Sequence, residues 1–276
     1  MTLGEALATG IEILEQNLVS ASRLTAEVLL AHSIGADRTY LYTHDRDVID
    51  NKAWDAYQSM LERRSAGEPT QHITGVQEFY GRPFSVNEFV LIPRPETELV
   101  IEVVGELNQW EAPRIIDVGT GSGCIAITLR LEIPSSEVIA SDISEEALRV
   151  ARKNSIALGA SVGFLNMDLT EACRGDFEFV VSNPPYVATT DLASLQREVR
   201  EHEPHVALFA PDDPTSVYRN LLPQAHERLI RGGYLVVEIG FAMEAEVRKL
   251  FGEEWELPPT RADLQGIPRV IAARKR

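Results

Sequence analysis

Over the first 67 residues, apolar side chains recur at helical spacing: Leu24, Val28, Leu29 and Ala31 beside His32, then Trp54, Tyr57, Met60 and Leu61. Positions three and four apart share one face of a helix, and the period-two alternation of a strand is absent here. The pattern predicts a small bundle of amphipathic helices with breaks near Gly10, Gly35–Ala36 and Asp45–Asp50. Between Gly67 and Pro95 the texture changes. HITGVQEFYG and RPFSVNEFVLI set β-branched and aromatic residues between glycines and prolines, which predicts a β-hairpin joining two domains.

Beyond Pro113 short apolar runs alternate with helical periods. Strands are expected at Arg114–Val118, Glu137–Ser141, Val162–Asn166, Phe177–Ser182, Tyr234–Ile239 and Arg269–Ala273. Helices are expected at Cys124–Leu131, Glu145–Leu158 and near Val217–Ile230. Such alternation predicts an α/β fold, a doubly wound, mostly parallel sheet with helices on both faces. The expected division is a helical domain over 1–67, a hairpin linker over 68–95 and an α/β domain over 96–276.

Composition narrows the function classes. With 26 Lys+Arg against 42 Asp+Glu the net charge is −16, which repels phosphate backbones and makes free nucleic acid a poor default partner. Cys124 and Cys173 lack metal-ligand spacing and read as small buried apolar residues. No basic segment precedes an apolar core at the start, and no apolar run approaches the ~20 residues that span a bilayer. A cytoplasmic protein is expected.

The most informative stretch is Asp117-Val-Gly119-Thr120-Gly121-Ser122-Gly123, which follows the strand RIIDV and opens the helix CIAITLRL. Glycines at alternate positions let the backbone turn sharply and approach a ligand where a Cβ would clash. Cys124 occupies the place where a dinucleotide fingerprint needs its third glycine, so the Gly-x-Gly-x-x-Gly pattern is broken. A carboxylate at Asp117 suits a cationic ligand such as an amino-acid ammonium better than a pyrophosphate. Asp142 ends the next strand, where nucleoside-binding sheets reach ribose hydroxyls. Followed by Ile-Ser-Glu-Glu, it is also a candidate helix cap, a competing reading. Asp168, with Leu169 beside it, follows the third strand, an edge that can hold an adenine.

A second motif, Asn183-Pro184-Pro185-Tyr186, follows the strand FEFVVS. Strand carboxyl ends form the ligand crevice of a doubly wound sheet, so this tetrapeptide is expected to face the glycine loop. Consecutive prolines fix φ and hold Asn183 extended, which makes a stiff shelf. A planar amide or aromatic-amine nitrogen is a poor nucleophile because its lone pair is delocalised. Acceptors such as the Asn183 side-chain oxygen and a backbone carbonyl can bind both of its N–H groups and leave the lone pair aimed at a donor. The Tyr186 ring can position a planar group.

Together DVGTGSG and NPPY resemble class I, Rossmann-like methyltransferases that use S-adenosylmethionine on planar nitrogens. VLIPRPETELV (Val90–Val100), GVQEFYGRPFSV, SRLTAEVLLAH and ERRSAGEPTQHITG extend the likeness over nearly the whole chain, to the peptide chain release factor glutamine N5-methyltransferase family. A related branch acting on a ribosomal protein usually carries Ser-Pro after Pro-Arg, whereas Pro93-Arg94 is followed here by Pro95-Glu96-Thr97-Glu98. The resemblance implies that Gly119 to Gly123 wrap the methionine part of S-adenosylmethionine, Asp142 the ribose and Asp168–Leu169 the adenine. It implies that Asn183 to Tyr186 hold a glutamine of class 1 release factors, and that the helical domain recognises them. After Glu203-Pro204-His205-Val206-Ala207-Leu208 the family usually carries a Gly-Gly and then a Gly-Leu; this chain has FAPDDPTSVYR, so its loop over Phe209–Tyr218 is expected to differ in shape.

Other readings carry less. His202, Glu203 and His205 lack the spacing of a zinc site, and no metal is expected. An N6-adenine DNA methyltransferase shares the NPPY chemistry but needs a basic groove. A nicotinamide oxidoreductase has no use for NPPY, and a decayed binding protein would be expected to lose Asn183 or the glycines. A monomer that contacts neither nucleic acid nor membrane is expected.

Overall fold

A computed structural model of the protein describes residues 1–171, 173, 175–210 and 213–276. The chain forms two compact units, Met1–Val76 with Gln196–His202, and Gln77–Leu195 with Glu203–Arg276. The first unit holds helices α1 (Leu3–Gln16), α2 (Ser22–Ile34), α3 (Arg38–Thr43), α4 (Asn51–Ser65) and α5 (Thr70–Thr74). Thr2 opens α1 with a capping box closed by Glu5, and Asp37 and Asp50 cap α3 and α4. Leu14, Leu29, Leu30, Tyr57 and Leu61 fill the core of this unit. Gly10 does not break a helix as expected. It lies inside α1, where an added Cβ would fall 1.8 Å from the Tyr57 hydroxyl, so its role is close helix packing.

The second unit opens with a hairpin of β1 (Val76–Phe79) and β2 (Arg82–Ser85). Tyr80 (φ 51) and Gly81 (φ 70) both have positive φ at its two-residue turn, the geometry that matches strand twist. Then follow α6 (Glu98–Leu107), β3 (Arg114–Val118), α7 (Cys124–Glu132), β4 (Glu137–Asp142), α8 (Glu145–Leu158), β5 (Gly163–Asn166) and β6 (Phe177–Ser182). The short helix α9 (Arg197–His202) belongs to the helical unit. The α/β unit resumes with α10 (His205–Leu208), α11 (Ser216–Arg228), β7 (Leu229–Glu238), α12 (Glu244–Arg248), β8 (Trp255–Glu256), β9 (Arg261–Ala262) and β10 (Pro268–Lys275).

The sheet order is β5-β4-β3-β6-β7-β10-β8, parallel from β5 to β7, with β10 antiparallel to β7. Alternate strand residues fill two separate cores. Ile115, Phe179, Val181, Val236 and Val270 pack with α6 and α7. Ile116, Val180, Leu235, Val237 and Ile271 pack with Tyr218, Leu221 and Leu222 of α11. The chain winds outward from β3 to β5, then returns to β6 on the other side of β3. That reversal opens a crevice at the carboxyl ends of β3 and β6.

Candidate functional site

The two motifs meet at this reversal. β3 and β6 pair in parallel with Asp117 opposite Val181 and Val118 opposite Ser182, so the glycine loop and Asn183 leave adjacent strand ends. The Ser182 hydroxyl donates to the Val118 carbonyl at 2.7 Å and ties the exits together.

Asp117 is fully buried below the loop. Its Oδ2 accepts from the Thr120 hydroxyl at 2.6 Å and the Ala126 amide at 3.2 Å, while its Oδ1 is buried without a partner. Burial pushes this carboxyl up to about 7, the two hydrogen bonds oppose the rise and the nearby Asp142 adds to it. An unmatched buried carboxylate oxygen is the feature a cationic ammonium would complete. Gly119 and Gly121, both at positive φ, face open space where a Cβ would stand. At Gly123 (φ +82) a Cβ would come 2.8 Å from Ile127 and 3.1 Å from Ala151, so the loop joins α7 only through a glycine.

Asp142 ends β4, and the cap of α8 is Ser144, whose hydroxyl accepts from the Ala147 amide. The Asp142 carboxylate instead accepts from the Gly121 amide and the Ser144 amide, each at 2.9 Å. Its carboxyl is raised by burial, against the pull of these bonds. Asp168 is exposed just past β5, and Leu169 adopts a positive φ of 47° while its carbonyl accepts from the Ser141 hydroxyl at 3.1 Å. These residues share the carboxyl edge of β3, β4 and β5. Their chemistry fits a ligand with an ammonium group and a nucleoside.

On the NPPY side Asn183 is half-buried and Pro184 buried. The Asn183 amide nitrogen donates to the Thr97 hydroxyl at 3.1 Å, and Thr97 donates to the Glu238 carboxylate at 2.6 Å. Thr97 and Glu238 are each 2% exposed. Burial pushes Glu238 up to about 7; the hydrogen bond from Thr97, the charge of Arg269 and the Tyr186 hydroxyl restrain it, and Glu96 works the other way. Burial also raises the Tyr186 hydroxyl, with Glu238 contributing.

The supporting roles of four side chains are not legible in the sequence. Thr97 and Glu238 lie 141 positions apart, and only the placement of Thr97 in Pro-Glu-Thr-Glu hinted at a role. Asn154, 1% exposed, joins β2 to the glycine loop by donating to the carbonyls of Ser85 and Ser122 at 3.0 and 2.9 Å. Glu203 is engaged by Arg94 at 2.6 Å and by the Ile92 amide at 3.2 Å. Of the unusual stretch Phe209–Tyr218, residues 211 and 212 lie outside the described residues. Phe209 bridges to Val187 directly after NPPY, and the Tyr218 hydroxyl donates to the Glu238 carbonyl at 2.8 Å. Among the described residues no helix is long and apolar enough to cross a membrane.

Comparison with known proteins matches residues 5–75 to the PrmC N-terminal domain and residues 96–202 to the Methyltransferase small domain. A release factor glutamine methyltransferase of Koribacter versatilis is 43% identical, covering 100% of this chain and 99% of the relative. One from Chlorobaculum tepidum is 41% identical over 97% of this chain and 95% of its own. Among solved structures, a methyltransferase from Pyrococcus furiosus has a TM-score of 0.54 at 13% identity, over 79% of this chain and 97% of that one, a likeness of fold.

Proposed function

The chain belongs to the family of release factor glutamine methyltransferases, and on that premise we propose that it methylates the side-chain nitrogen (N5) of the glutamine in the Gly-Gly-Gln motif of class 1 release factors. S-adenosylmethionine would be held by residues Asp117 to Gly123, Asp142, Asp168 and Leu169, and would supply an electrophilic methyl group on a sulfonium. The observation that carries the reading is the adjacency of a glycine loop over the unmatched Asp117 Oδ1 to the NPPY shelf, at the ends of two paired strands.

The chain's own groups perform the rest. With the Asn183 amide nitrogen committed to Thr97, its Oδ1 is free to accept an N–H of the substrate amide. A backbone carbonyl of the shelf accepts the second N–H. Held by two acceptors, the nitrogen loses conjugation with its carbonyl and its lone pair turns toward the cofactor loop. Pro184, Pro185 and the Tyr186 ring fix the plane of the amide, and such near-attack positioning is worth up to ~7–11 kcal/mol. Flanking glycines in the substrate let its backbone follow the glutamine into the crevice.

The net charge of −16 favours a protein over a nucleic acid as substrate. The helical unit supplies surface for recognising the release factor, which acts on cytoplasmic ribosomes, and the enzyme works as a monomer. Incubation with labelled S-adenosylmethionine and whole-cell protein or DNA tests the substrate class: label is expected in a release factor, and label confined to DNA would overturn the reading.

A further inference from the structure

The polarity of the Asn183 carboxamide has a visible cause. A threonine hydroxyl has one proton to give. At 2.6 Å from a carboxylate oxygen, Thr97 gives it to Glu238. Its oxygen is then left as an acceptor, and the Asn183 group 3.1 Å away must present its NH2. The carboxamide oxygen consequently points the other way. The Tyr186 hydroxyl also acts on this carboxyl and helps to restrain its rise.

We propose that Glu238 is a positioning residue that sets the hydrogen-bonding polarity of Asn183 through Thr97, presenting an acceptor rather than a donor to the substrate nitrogen. The proposal rests on the assignment of Asn183 to that nitrogen. Were Glu238 protonated, its O–H could donate to Thr97, Thr97 could donate to the Asn183 oxygen, and the carboxamide would turn its NH2 to the substrate. A donor there cannot hold an N–H. The titratable groups that act on Glu238 are Tyr186 beside the β6 exit, Tyr218 of α11, Arg269 of β10, Glu96 ahead of α6 and Cys124 of α7. Burial leads in pushing Glu238 up to about 7, so the relay loses its polarity as pH falls through that value.

The test is steady-state kinetics on the full-length enzyme with an intact release factor and saturating S-adenosylmethionine, and cofactor affinity by calorimetry as the control for folding. Thr97→Val keeps the shape of the side chain and removes the relay; kcat is expected to drop about tenfold, with KM and cofactor affinity within about twofold of wild type. Thr97→Ser is expected to restore kcat. Wild-type kcat should decline below about pH 7, and Glu238→Gln, which cannot protonate, should flatten that decline. Wild-type kcat in Thr97→Val beside a slow Asn183→Ala overturns the relay and leaves Asn183 assigned. Wild-type kcat in Asn183→Ala overturns the assignment itself.

Discussion

The backbone amide of Gly121 donates to the carboxylate of Asp142 at 2.9 Å, so the acid that ends β4 holds the loop that ends β3. Asp142 therefore shapes the glycine loop besides standing where a ribose is expected. Removing it disturbs both. Asp142→Ala is expected to weaken S-adenosylmethionine binding by about 1–3 kcal/mol, the cost of leaving a polar partner unmatched. Unchanged calorimetric affinity in a folded variant would count against the assignment.

With the ammonium of S-adenosylmethionine at Asp117, as proposed above, cofactor binding is expected to be coupled to protons. Its carboxyl is raised from 3.8 to about 7, chiefly by burial. A cation at its unmatched oxygen favours the ionised form, so binding releases a proton below about pH 7 and is not proton-coupled there above it. Affinity should thus fall as the medium is acidified through pH 7. Calorimetry in two buffers of different ionisation enthalpy reads the released proton directly.

The same residue links pH to stability in the opposite sense. Between 3.8 and about 7 the folded protein binds the proton and the unfolded chain does not, so this group's contribution declines as pH rises across that window. The full shift corresponds to roughly 4 kcal/mol. Asp117→Asn should raise the melting temperature of the cofactor-free protein at pH 8 and lower its cofactor affinity. A variant that melts earlier would show that the charge is compensated.

In the helical unit, Gly10→Ala would set a Cβ 1.8 Å from the Tyr57 hydroxyl and is expected to destabilise by about 1–3 kcal/mol. The Tyr57 hydroxyl is buried without a partner, so Tyr57→Phe should be neutral or stabilising and should relieve part of the Gly10→Ala defect. Denaturant melts of the two single variants and the double variant measure this coupling.

Where glycine, proline and acids punctuate short apolar runs, the chain announced its structure. β3, β6 and α8 have the bounds expected from RIIDV, FEFVVS and the helical period of Glu145–Leu158. The apolar run predicts a strand from Tyr234, yet β7 begins at Leu229 and runs through Gly232–Gly233. Its register with β6 shifts between Phe177 and Phe179, and regular pairing resumes at Tyr234, the residue where the apolar run begins. The cap of α8 falls to Ser144, two residues past Asp142, because it is the Ser144 hydroxyl that accepts from the Ala147 amide. The Thr97–Glu238 bond was illegible because neither residue has local periodicity or motif that points to the other across the sheet. Helix packing through Gly10 was hidden because a glycine that breaks a helix and one that lets two approach are identical in sequence.

On the proposed function, the NPPY shelf presents a release factor glutamine to the cofactor loop. This is tested most directly by mass spectrometry of an intact class 1 release factor after incubation with the enzyme and S-adenosylmethionine. One added methyl is expected on the side-chain nitrogen of the Gly-Gly-Gln glutamine, none on a factor in which that glutamine is replaced, and far slower modification of a short Gly-Gly-Gln peptide. Methyl transfer to adenine in DNA or to another protein, with the release factor untouched, would contradict it.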